Sequence, residues 1–150
     1  MNWLLYIFLF VGAFVGMEGV AWFTHKYVMH GFMWVWHKSH HHPYEGVFER
    51  NDLFSVVFSL PAIVCIVVGL EYRENWLFLV PIGAGITGYG LFYFLFHDIL
   101  VHRRVKHSIR PENKYLRRLI RAHKMHHKHT QKEEGEAFGF LFAPKKYEVD

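Results

Sequence analysis

Residues 76–102 read WLFLVPIGAGITGYGLFYFLFHDILVH. From Trp76 to Phe96 no charged residue occurs, and the run then ends on His97, with His102 five positions further on. An apolar stretch of about 18 residues or more is long enough to cross a hydrocarbon core roughly 30 Å thick. Two other stretches qualify: Trp3 to Phe23, with Glu18 as its one charge, and Leu53 to Leu70, with none. Three such stretches in 150 residues leave too little amphipathic sequence to bury them in a water-soluble core. The reading is therefore all-α: a polytopic membrane helical bundle forming one domain over residues 1–150, with spans at about 3–23, 53–70 and 76–96. A fourth span is left open as an alternative. Histidine-rich segments at 25–52 and 97–150 make a helical cap on one side.

Charge gives the expected orientation. Of 17 Lys and Arg, Lys26, Lys38 and Arg50 lie between the first two spans, thirteen follow Phe96, and Arg73 alone lies in the short loop before the third span. Cytoplasmic segments accumulate Lys and Arg, so both histidine segments are expected on the cytoplasmic side. A basic tail bordering a membrane and interleaved with histidine argues against nucleic acid as a partner. The first apolar segment lacks a basic leader and runs into histidines, so it is expected to persist rather than be cleaved. Cys65, the single cysteine, excludes an intrachain disulfide.

Thirteen histidines is far above ordinary usage, and ten form four boxes of two shapes. His25 and His30 stand five apart, then His37, His40 and His41 follow at i, i+3, i+4; His97 with His102, and His123 with His126 and His127, repeat both shapes in the same order. On a helix, i, i+3 and i+4 share one stripe, so each triplet is expected to aim its rings at one point. Positions i and i+5 converge only where the helix ends, unwinds or carries a π-bulge. With three spans, all four boxes meet at one face. His42, His107 and His129 fit neither shape and are read as solvated or interfacial.

Ten imidazoles are too many for one ion, because zinc takes four ligands and octahedral iron six; two metals with about five each is the natural division. An open position on paired redox-active ions permits O2 chemistry, which zinc cannot perform. Ligand histidines usually donate their other ring N–H to a carboxylate or carbonyl. Glu18, two turns before His25, is a candidate partner, as are Asp52 and Asp98. Gly83-Ala-Gly85-Ile-Thr-Gly88 spells a dinucleotide fingerprint but lies in an apolar span, so it is read as small residues that let helices approach, like Gly12 and Gly16. Electrons must then come from a separate redox protein, docking on the basic face.

These boxes resemble those of the membrane fatty-acid-hydroxylase and carotenoid-hydroxylase superfamily. The flanks are similar to its bacterial carotenoid-ring-hydroxylating branch: Thr24 to Gly31, Trp36-His37, Phe48-Glu49, Asn51-Asp52-Leu53, Tyr89-Gly90-Leu91 through His97-Asp98, Ala122-His123, Met125-His126-His127, Phe138 to Leu141 and Ala143-Pro144. The resemblance implies a non-haem di-iron monooxygenase of a bacterial inner membrane, ligated by the ten box histidines. It implies hydroxylation at C3 of β-ionone rings, from beta-carotene through beta-cryptoxanthin to zeaxanthin, with O2 and electrons from ferredoxin or a similar donor. Phe94, Phe96, Trp22, Phe23 and Met29 are placed to line a substrate channel or simply to pack. The rival readings are a related fatty-acid or sterol hydroxylase, desaturase or carotenoid ketolase, and a metal-binding membrane protein or transporter. The transporter fits less well, since the apolar spans hold no histidine along a path.

Overall fold

A computed structural model describes residues 2–42, 46 and 48–148 of the chain. The apolar stretches form helices: α1 (Trp3–Phe23), α3 (Leu53–Glu71) and α5 (Leu79–Tyr93), with a short α2 (Trp34–His37) between the first two and a short α4 (Arg73–Trp76) before the third. An amphipathic α6 (Lys114–His126) follows, and no strand occurs among the described residues. Asn2 opens α1 by accepting a hydrogen bond from the Leu4 amide at 3.1 Å, which satisfies one of the donors a helix start leaves free. Three helical stretches, Trp3–Phe32, Arg50–Glu71 and Leu79–Val101, are long and apolar enough to span a membrane. Their outward faces keep large apolar side chains exposed, such as Phe8, Val64 and Leu95, as lipid contact requires.

The first and third spans run past the expected ends. Both continue as π-helix, over Thr24–Phe32 and Phe94–Val101, so His25, His30 and His97 belong to the ends of continuous membrane-length helices. The third helix starts at Leu79 rather than Trp76, which instead closes α4.

α5 is the central span and packs on both α1 and α3. Glycines permit this from two faces. A methyl at Gly83 would lie 2.7 Å from the Ala62 carbonyl oxygen of α3, and one at Gly85 would run into the Phe10 carbonyl of α1. Gly12 and Gly16 do not share that role, because nothing lies within 4 Å of a methyl at either position; Ala13 is the small residue facing Gly85. Beyond the spans, Leu119 and Ala122 of α6 join Phe96, Phe140, Ala143 and Tyr147 in a buried cluster. That cluster holds α6 and the C-terminal segment against the end of α5.

Candidate metal centre

The two i, i+5 pairs are built by the π turns. The His102 amide donates to the His97 carbonyl at 2.8 Å, and the Met33 amide to Val28 at 2.9 Å, both five residues back. In such a turn residues five apart stack on one face, whereas an α-helix would splay them. Gly31, at φ −105° and ψ −123°, breaks the first π stretch just after His30 and turns the chain toward α2.

The ten box histidines gather into two sets of five. His25, His30, His37, His41 and His126 form one, and His40, His97, His102, His123 and His127 the other; within each, one ligand atom per residue lies within 4.8 Å of all the rest. The triplets therefore do not aim at one point each. The i, i+4 members, His37 with His41 and His123 with His127, serve one set, while the i+3 members, His40 and His126, cross to the other. The i+3 ring sits about 100° around the helix from its i+4 neighbour, and two adjacent targets exploit that angle. The sets adjoin, with His41 and His127 stacked at 4.6 Å between ring centroids.

The hydrogen bonds decide what these rings can do. In the first set every Nδ1 faces an oxygen: His25 the Phe138 carbonyl at 3.0 Å, His30 that of Lys132 at 3.0 Å, His37 the Asn51 side-chain oxygen at 2.7 Å, His41 the His129 carbonyl at 2.8 Å, and His126 that of Glu136 at 2.7 Å. Carbonyl oxygens only accept, so each Nδ1 carries the proton and each Nε2 a lone pair. Yet these Nε2 atoms face one another: His25 and His37 at 3.0 Å, His41 and His37 at 3.1 Å, His30 and His126 at 3.2 Å. Lone pairs at that range repel unless a cation lies among them. The donor set fits a nitrogen-ligated metal.

In the second set the Nε2 atoms of His40 and His97 approach to 2.9 Å and those of His102 and His123 to 2.8 Å, and carboxylates lie beside the outer nitrogens of two of the five rings. His97 Nδ1 donates to Asp98 at 2.8 Å, and His40 Nδ1 lies 3.6 Å from Glu49. Arg104 ties these acids together, binding Glu49, Asp52 at 2.8 Å and Asp98 at 3.7 Å. Asp98 thus lies directly against an imidazole of this set. Asp52 does not: its carboxylate accepts from Arg104 and the Glu49 amide, one step removed from any imidazole. Glu18 is corrected too, because its oxygens are taken by the Tyr89 hydroxyl at 2.7 Å and the amides of Phe140 and Leu141 at 2.7 and 2.8 Å. It anchors the tail segment whose Phe138 carbonyl holds His25. Gly139 makes room for this, since a methyl there would sit 2.5 Å from Glu18 Oε1.

Asn51, Glu49, Arg104 and the tail carbonyls are partners that spacing did not identify. His42 is exposed, His107 donates to the Ile99 carbonyl at 2.7 Å, and His129 contributes its carbonyl rather than its ring. Beyond the spans, burial above all lowers the pKa of His37 to about 3, of His41 and His102 to about 4 and of His126 to about 2, and pushes His40, His123 and His127 well down. At neutral pH all are uncharged, the ligating form.

A cavity of about 490 Å³ lies among the three spans and reaches the site. Met17, Phe58 and Ile86 give it an apolar wall, while His25, Asn51, Tyr93 and Asp98 form its polar end. Of the residues placed either to line a channel or to pack, Met29 and Phe94 line this cavity. Phe96 instead packs in the core beside α6, and Trp22 and Phe23 face outward. A second cavity, of about 340 Å³, approaches from the polar side past Lys124 and Lys128 to His40, His102, His123 and His127.

Residues 10–144 match the model of a family described as fatty acid hydroxylase. The chain is 50% identical over 133 residues to a protein of Pseudescherichia vulneris named beta-carotene hydroxylase, covering 87% of this chain and 73% of that one. A beta-carotene hydroxylase of Paracoccus sp. (strain PC1) is 42% identical over 85% of the chain and 78% of its own length. A chloroplastic beta-carotene 3-hydroxylase 2 of Arabidopsis thaliana is 39% identical over 92% of the chain and 45% of its own. No solved structure matches at a significant level.

Proposed function

The chain belongs to the fatty acid hydroxylase family, and on that footing we propose that it hydroxylates carotenoids at C3 of the β-ionone ring, taking beta-carotene by way of beta-cryptoxanthin to zeaxanthin. One observation carries the reading: an apolar cavity among membrane-length helices reaches His25, one of ten imidazoles gathered in two adjoining sets of five, and in each set ring nitrogens face one another. The names of the relatives supply the substrate. Each five-histidine set would hold one iron. When bound, a pair of redox-active irons supplies the O2 chemistry that imidazoles lack. The reaction balances as R–H + O2 + 2 e− + 2 H+ → R–OH + H2O, with electrons from a separate redox protein such as ferredoxin.

The chain's own residues do the rest. Ile63, Leu91 and Phe94 line the cavity and are also exposed on the outside of the bundle, so a ring dissolved in lipid can enter sideways. The tail carbonyls and Asn51 hold the protons on Nδ1 and thereby keep Nε2 free. Apolar walls keep water from the reacting end. We read residues 1–150 as one such domain in a bacterial inner membrane, with the histidine end in the cytoplasm, because the Lys and Arg distribution favours that side.

Expression in cells that accumulate beta-carotene, followed by pigment chromatography, tests the proposal. Mono- and dihydroxylated products are expected. Unchanged beta-carotene, with the protein present in the membrane and loaded with iron, would overturn it.

A further inference from the structure

Most hydroxyl groups that line the cavity are committed elsewhere. Thr87 donates to the Gly83 carbonyl at 2.9 Å, Ser59 to that of Val56 at 2.8 Å, and Tyr89 to Glu18 at 2.7 Å. Tyr93, one turn beyond Tyr89, is held differently. Its ring stacks on His97 at 4.5 Å and meets Phe140 edge-on at 4.7 Å, so the phenol is fixed from two sides. Among the described residues, its hydroxyl has one hydrogen-bond partner, His97 Nε2, at 3.4 Å.

That partner is a poor one. The distance is at the long limit for a hydrogen bond, and an O–H on a stacked ring approaches the imidazole off the plane that holds the lone pair. His97 Nδ1 is already bonded to Asp98 at 2.8 Å, and its Nε2 points among the other ligand nitrogens, 2.9 Å from that of His40. Once that lone pair is given to a metal, Tyr93 keeps a proton and has no acceptor, at the joint between the cavity and the second histidine set. Buried tyrosine hydroxyls ordinarily find a partner. An oxygen that arrives with the reaction is the acceptor this position is built for.

We propose that Tyr93 is a catalytic hydrogen-bond donor, its O–H serving the oxygen that is inserted into the substrate C–H bond. The proposal rests on the hydroxylase reading and adds no reactant to the balance above, because the phenol donates a hydrogen bond and is not consumed. A donor aimed at developing negative charge in an apolar site acts at the moment of reaction. It also couples electron consumption to product.

Tyr93→Phe keeps the ring and both stacking contacts and deletes only the hydroxyl. Three quantities are compared with the unsubstituted protein after iron loading: iron per chain, affinity for azide followed by its charge-transfer absorption, and reducing equivalents consumed per hydroxyl formed. Expected are unchanged iron, azide binding about tenfold weaker from the loss of one hydrogen bond to an anion, and reductant consumption well above the two electrons that each hydroxyl requires. Unchanged azide affinity and coupling would reduce Tyr93 to packing and overturn the proposal. Loss of iron would also overturn it, since the role would then lie in holding His97. If the unsubstituted protein binds no iron or makes no hydroxylated carotenoid, the hydroxylase reading itself falls; coupled turnover in both proteins removes only the role of Tyr93.

Discussion

For a single imidazole, the proton on Nδ1 settles which nitrogen can bind a metal. His37 depends on Asn51 for this, at 2.7 Å. Asn51→Leu removes the acceptor and should weaken iron binding roughly 10–100-fold, whereas Asn51→Asp keeps an acceptor and should weaken it less; iron titration of the metal-free protein compares them. His129 supplies only its carbonyl to His41, so His129→Ala should bind iron as the unsubstituted protein does. Gly139→Ala should disturb Glu18 and the tail together, lowering iron affinity without altering any charge. Acid acts through the same rings. Histidines such as His102, with a pKa lowered from 6.5 to about 4, take up protons more readily when unfolded. The metal-free histidine end should therefore be intact above about pH 6.5 and lose stability as the pH falls toward 4. Rising protease sensitivity of the 129–138 segment over that interval is the expected sign. The ten histidines were legible because spacing exposes them, and Asp98 because it adjoins one. The acceptors in the tail were not, since any residue supplies a carbonyl and only the fold chooses which.

The two π turns and the crossing triplets are what helices contribute. The five-residue spacing pointed to an irregular helix end, and a π turn is the form it takes. Deleting Tyr27, an exposed residue between His25 and His30, would close the spacing to i, i+4 and let the turn revert to α-helix. His25 and His30 would still share one face, as residues i and i+4 do on an α-helix, so both sets should keep their metal, read as iron per chain. The crossover of His40 and His126 was hidden, because i, i+3, i+4 spacing fits one target or two neighbours equally well. Gly90 of α5 offers a test of the cavity. It lines the wall, and nothing lies within 4 Å of a methyl built there. Gly90→Phe should fill the space, leaving membrane insertion and iron content intact while hydroxylated product falls at least tenfold, an effect of lost fit.

As a whole, the molecule is a small membrane bundle whose one end gathers four sequence segments around ten histidines. The apolar spans were legible from composition alone, and their gathering at one end followed from an odd number of crossings. What composition could not supply is the tail's return to Glu18, inside the first span, which closes the site from the C-terminal side. Single cysteines placed at Glu74 and Lys128, with Cys65→Ala, should label from opposite sides of sealed vesicles, Lys128 from the cytoplasmic one. The central claim, that two sets of five imidazoles each hold an iron, is tested most directly by metal analysis after anaerobic reconstitution with ferrous iron. About two irons per chain are predicted, falling to about one when His25 and His30, or His97 and His102, are both replaced by alanine. A single iron in the unsubstituted protein, or turnover sustained by zinc alone, would contradict it.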